Sequence, residues 1–216
     1  MRSFLARHFR VRLWFLPLAF VWGYFVIKQP QGAESVIGFM KSFELSLFIP
    51  AFILAVSIFG NRAEMEFCRS YGFGLHKLCI AQASPFYVYS VIVIIALMLI
   101  SPRSDSIATS LCIYLVLSSI VNLTFAMSIS IFIRVLFRSM FGAIGFVMLF
   151  YFFFASGYGF SSFGEYFSFN SVSIVVEREL EYSVIFINRL IYLAMSAIFM
   201  FLSYLLMKSK SYTEVN

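Results

Sequence analysis

Residues 61–84 read NRAEMEFCRSYGFGLHKLCIAQAS, and what lies on either side of them decides the fold. This is the longest polar interval in the first three quarters of the chain, and long hydrophobic runs flank it. It holds three basic residues (Arg62, Arg69, Lys77), two acids (Glu64, Glu66) and a turn signal at Tyr71, Gly72 and Gly74. A polar segment of this size cannot form a soluble domain of its own. It reads as a loop between two membrane spans.

The totals agree. Of 216 residues, 62% are hydrophobic and only 12% charged, whereas a soluble domain has roughly 45–50% apolar and about 25% charged residues. A single-span anchor would leave a polar domain somewhere in the chain, and no stretch is long enough to be one. The expectation is a single transmembrane domain over residues 1–216, all-α, because the apolar runs are continuous rather than alternating.

A hydrocarbon core of about 30 Å takes roughly 20 apolar residues as helix. Six segments qualify: 11–27, 43–60, 85–100, 107–133, 140–160 and 184–207. Pro85 is placed in the first turn of the third span, where a missing N–H costs little. The basic start and the apolar run after it resemble a signal peptide, but the run is long, aromatic and closed by no small-residue cleavage pattern. It reads as an uncleaved first span. Upstream, Phe4, Leu5, Phe9 and Val11 alternate with Arg2, Arg7, Arg10 and Arg12, which suits a helix lying in the interface.

Six spans put both termini on one side, and the distribution of basic residues says which. With the termini in the cytoplasm, the inner segments hold Arg2, Arg7, Arg10, Arg12, Arg62, Arg69, Lys77, Arg134, Arg138, Lys208 and Lys210. The outer side holds Lys28, Lys41, Arg103, Arg178 and Arg189. The net charge of +6 is therefore explained by topology and is no sign of a nucleic-acid partner. The location implied is the inner or plasma membrane.

Several chemistries lack their residues. Asp105 is the single aspartate, so a pair of catalytic aspartates cannot form. No Gly-Lys pair occurs, so there is no phosphate-binding loop of the Walker type. His8 and His76 have no partners at zinc-ligand spacing, and no metal site or cofactor is expected on this chain. The three cysteines, Cys68, Cys79 and Cys112, read as small hydrophobes, Cys68 and Cys79 within the inner loop. The chain is not expected to be an enzyme.

Charge at membrane depth is the usual mark of function. Spans three to five carry none in their interiors. Glu44 and Arg189 fall near the outer ends of spans two and six, where each can snorkel to water. The functional alternative is a Glu44–Arg189 contact forming an outer gate. Asn122 is the one strongly polar residue at mid-membrane, a candidate helix–helix hydrogen bond. With so little buried charge, any transport draws its energy from outside the chain.

Residues 63–75 can form a short helix with Met65, Phe67, Cys68 and Tyr71 as apolar contacts and Glu64, Glu66 and Arg69 as polar ones, ended by Gly72 and Gly74. Exposed Phe and Tyr beside charges suit a protein-docking surface; a connector lying along the membrane would show the same pattern.

The six spans, the basic N-terminus and the pattern Glu64, Glu66, Arg69, Ser70, Tyr71, Gly72, Lys77 resemble an ABC-2-type permease, the membrane subunit of an ABC exporter (the type V exporter layout). The family's usual Gly-Thr after the coupling-helix glutamate is absent, and Ser70, Tyr71 and Gly72 stand near its place. The resemblance implies that Glu64, Glu66, Phe67, Arg69, Tyr71 and Gly72 form a coupling helix seated on a separate ATPase. It implies a homodimer or a pair with a related permease, with ATP and Mg bound only by the partner ATPase. The loop 157–183, with Gly157, Gly159, Gly164 and an apolar pentad at 172–176, is similar to the family's re-entrant segment. The aromatic run 146–154 fits packing or lipid contact, and also a peptide, antibiotic or lipid-like amphipathic cargo. The alternative is a membrane immunity protein that sequesters a toxin peptide and moves nothing, with the acidic run 177–181 as its contact.

Overall fold

A computed structural model of the chain describes residue 44 and residues 74–100, 109–137, 140–156 and 183–208. Among the described residues there are four helices and no strands: α1 (Leu75–Ile100), α2 (Thr109–Phe137), α3 (Met140–Ser156) and α4 (Ser183–Lys208). Three of them, α1, α2 and α4, are long and apolar enough to cross a membrane. At 17 residues, α3 spans about 25 Å.

Spans four, five and six were expected at 107–133, 140–160 and 184–207, and the helices found there differ by a few residues at their ends. Two differences matter. The third helix starts at Leu75, ten residues before Pro85, so Pro85 lies inside α1 rather than in its first turn. The polar residues His76, Lys77, Gln82 and Ser84 do not interrupt the helix, because Leu75, Leu78, Cys79 and Phe86 recur at helical spacing and are all buried. Gly74 caps the start, its carbonyl accepting from the Lys77 and Leu78 amides at 2.9 and 3.4 Å. Cys79 consequently lies on a helix and is buried, not in a loop.

The second difference is Arg134, assigned by sequence to a tight inner turn. It stands in the last turn of α2 and is buried. Val135, Leu136 and Phe137 prolong the apolar pattern past it, and a cation near a helix C-terminus favours the helix dipole. Spans one and two, apart from Glu44, lie outside the described residues, as do 61–73 and 157–182.

Ring and polar contacts orient α1, α2 and α4. Asn122 meets Arg189, Phe125 stacks on Tyr192 at 4.5 Å and Phe132 lies 5.2 Å from Phe199. Both members of these pairs advance by three and then by seven residues, so α2 and α4 run parallel with a heptad step, the geometry of a left-handed pair. His76 at the start of α1 touches Tyr204 near the end of α4, with ring centroids 5.5 Å apart, and Tyr87 hydrogen-bonds Thr124 at 3.0 Å. α1 therefore runs against both. α3 follows α2 after a two-residue connection, and Phe137 stacks on Phe146 at 4.3 Å.

α2 is the centre of the bundle. Its apolar stretch is 67% buried, against 28% for α1 and 22% for α4, and α4 makes the most extensive contact with it. The pattern is inverted relative to a soluble protein. Phe141 (80% exposed), Phe186, Leu149, Phe152, Phe201, Ile80 and Ile92 face outward, while Ser118, Asn122, Ser128, Asn188 and Arg189 lie inside. In water such an apolar surface would drive aggregation; against lipid tails it costs nothing, and helix association rests instead on packing and interhelical hydrogen bonds. Ser90, Thr124, Ser196 and Ser203 return their hydroxyls to carbonyls four residues back, at 2.7–2.9 Å, which removes the need for outside partners.

Candidate functional site

The inside of the bundle holds an ionic cluster. Arg189 stands on the seventh residue of α4, about 9 Å along the helix from its start. Its side chain enters the seam with α2. Nε–H donates to Ser118 Oγ at 2.6 Å, and Nη1 donates to Asn122 Oδ1. Nη2 donates to Glu44 Oε1 at 3.0 Å, closing a salt bridge. The Ser118 hydroxyl, having accepted from Nε, faces the same Glu44 oxygen at 3.5 Å.

The cluster is anchored from below. The Arg189 guanidinium carbon lies 5.5 Å from the centre of the Tyr192 ring, and Tyr192 is fully buried and stacked on Phe125. The spacing explains the convergence. Ser118 and Asn122 are four apart on α2, and Arg189 and Tyr192 three apart on α4, so each pair shares a helix face. Both faces point into the parallel seam.

Sequence left two roles open for Glu44 and Arg189, and the structure shows the two side chains in contact. Glu44 is 0% exposed and Arg189 7%, so the pair does not snorkel to water at the helix ends. Each charge is instead compensated by the other and by neutral groups of α2, as charge in a low-dielectric interior requires. Asn122 is buried at the middle of α2 and serves as a ligand of the arginine as well as an interhelical contact. Arg134, in the last turn of α2, is a further buried cation.

Sequence reasoning did not single out Ser118 or Tyr192. Their signal was the i, i+4 and i, i+3 spacing to Asn122 and Arg189. The hydroxyls of Ser119 and Ser130 are buried on α2 with no hydrogen-bond partner among the described residues, which extends the polar character of the α2 core on both sides of Asn122. At the opposite end of α4 from Arg189, the Tyr204 ring meets the His76 ring at 5.5 Å between centroids and the Lys208 ammonium at 6.0 Å. The coupling residues Glu64, Glu66, Phe67, Arg69, Tyr71 and Gly72 lie outside the described residues. Among the described residues no group of three or more His, Cys, Asp or Glu side chains gathers for a metal ion.

No protein-family model, curated protein or solved structure matches this chain.

Proposed function

We propose that the chain is the membrane-spanning subunit of an ATP-driven exporter of the ABC-2 type, with six spans, cytoplasmic termini and a place in the inner or plasma membrane. The observation that carries the proposal is the enclosed Glu44–Arg189 pair. Ionisable residues inside a membrane bundle are costly, and where they occur they mark pathways and moving contacts. This pair joins a segment early in the chain to the last described helix, across α2. Breaking it separates elements far apart in sequence, as opening an outer gate requires.

The energy comes from a separate ATPase that binds both ATP and Mg. Residues 61–84 take the force, with Glu64, Glu66, Phe67, Arg69, Tyr71 and Gly72 as the docking surface. A homodimer, or a dimer with a related permease, encloses a peptide, antibiotic or lipid-like amphipathic cargo between protomers.

Purification in mild detergent tests this. The wild-type chain brings down an ATP-hydrolysing partner in stoichiometric amount, and Glu66→Arg or Tyr71→Ala abolishes the association while the far-UV spectrum is unchanged. Association that survives both substitutions, or a chain that performs its cellular role with no ATPase, overturns the proposal.

A further inference from the structure

We propose that α1 consists of two arms joined by a hinge at Pro85, so that residues 75–84 swing against the bundle while 86–100 stay docked on α2. Pro85 lies inside a helix of 26 residues. It carries no amide hydrogen for the Ala81 carbonyl, and its ring crowds that carbonyl. One turn on, the Ser90 hydroxyl donates to the Phe86 carbonyl at 2.9 Å, a back-bond that itself favours bending. Bends in helices have identifiable causes of this kind, proline foremost.

Packing follows the same division. Above the proline, Phe86, Ser90 and Ile94 recur every four residues and are buried. Tyr87 ties this arm to α2 through Thr124 at 3.0 Å. The Thr124 hydroxyl already donates to the Ile120 carbonyl at 2.8 Å, so Tyr87 is the donor. Below the proline, Leu75, Leu78 and Cys79 are buried, and the His76 ring meets Tyr204 of α4 edge-on at 5.5 Å. Between the two sets, none of residues 80–85 is buried. The helix is least held where its hydrogen-bond ladder is interrupted, and local motion concentrates at such places. The contacts of the two arms differ in kind as well. A hydrogen bond is steeply directional, whereas a ring contact tolerates a range of distances and tilts. The lower arm therefore has freedom that the upper arm lacks. One consequence rests on the transport proposal: the lower arm carries motion from the docking residues at 64–72 into the bundle.

Distances between paired spin labels test the hinge on the purified chain in nanodiscs, with no ATPase present. In a cysteine-free background, one pair reports the lower arm (Ile80→Cys with Phe186→Cys) and one the upper arm (Ile92→Cys with Phe201→Cys). All four positions face outward. With His76 beside Tyr204 and α1 antiparallel to α4, each pair is separated by about 20 Å along the bundle, within the range of pulsed dipolar measurement. The lower pair gives a broader distance distribution than the upper pair. Pro85→Ala restores the missing amide and narrows the lower distribution to the width of the upper one, which is itself unchanged.

Where Pro85→Ala does not purify, Pro85→Leu carries the same comparison. A lower pair as narrow as the upper pair overturns the hinge without any substitution at residue 85. A lower distribution that keeps its breadth in Pro85→Ala overturns it too. Neither result bears on ATPase association, and loss of that association leaves the hinge standing, so the two proposals fail separately.

Discussion

Replacing Glu44 by glutamine keeps the shape of the side chain and removes the carboxylate of the enclosed Glu44–Arg189 ion pair. Both partners are less than one tenth exposed, so the pair is not weakened by the solvent screening that makes surface ion pairs nearly worthless. A hydrogen bond to a charged group contributes about 1.5–3 kcal/mol, and breaking a buried pair costs about 3–5 kcal/mol. Polar contacts in membrane bundles are worth less, about 0.6–2 kcal/mol, because the unfolded chain finds other partners in the bilayer. Arg189 keeps Ser118 and Asn122, which offsets part of the loss. The cost expected for Glu44→Gln is thus about 2–3 kcal/mol. Arg189→Met costs a similar amount, and the double variant costs clearly less than the two together. The assay is SDS titration in mixed micelles followed by far-UV circular dichroism, with all four proteins forming a double-mutant cycle. Single effects that add within about 0.5 kcal/mol show no coupling and refute the enclosed pair.

Asn122→Leu removes one acceptor of Arg189 and is expected to cost about 1–2 kcal/mol in the same titration. Phe125→Ala strips the stack from Tyr192 and the contact with Phe199 and leaves a cavity at a fully buried position; a loss of about 2–4 kcal/mol is expected. On α3 the two faces should behave oppositely. Ala143 is buried, so Ala143→Leu overpacks the contact and costs about 1–3 kcal/mol, whereas Phe141→Leu, on the outward face, changes the midpoint by less than about 0.5 kcal/mol.

The ends of α4 were legible because its pattern from Val184 to Met207 is apolar but for Asn188, Arg189 and scattered serines, and charge marks its far end at Lys208. The start of α1 was not, since His76, Lys77 and Gln82 look like loop until Leu75, Leu78 and Cys79 are seen to be buried together. Hydropathy averages over a helix and cannot tell a polar residue on one face from a break in the span. The site shows the same limit. Glu44 and Arg189 were recognisable as a pair of opposite charges, but their positions near helix ends favoured water. Their burial depends on Ser118, Asn122 and Tyr192, contributed by two parallel helices whose register no local pattern specifies. Serine is common in membrane helices, so Ser118 carried no signal until Arg189 was seen beside it.

The claim beneath the whole account is that residues around Tyr71 face the cytoplasm and receive an ATPase. Labelling a single cysteine tests it. Cys68, Cys79 and Cys112 are replaced by serine, Tyr71→Cys is introduced, and a membrane-impermeant maleimide is applied to right-side-out and inside-out vesicles. Labelling only in inside-out vesicles, diminished when the ATPase is bound, is the predicted result. Labelling of Tyr71→Cys in right-side-out vesicles contradicts the account.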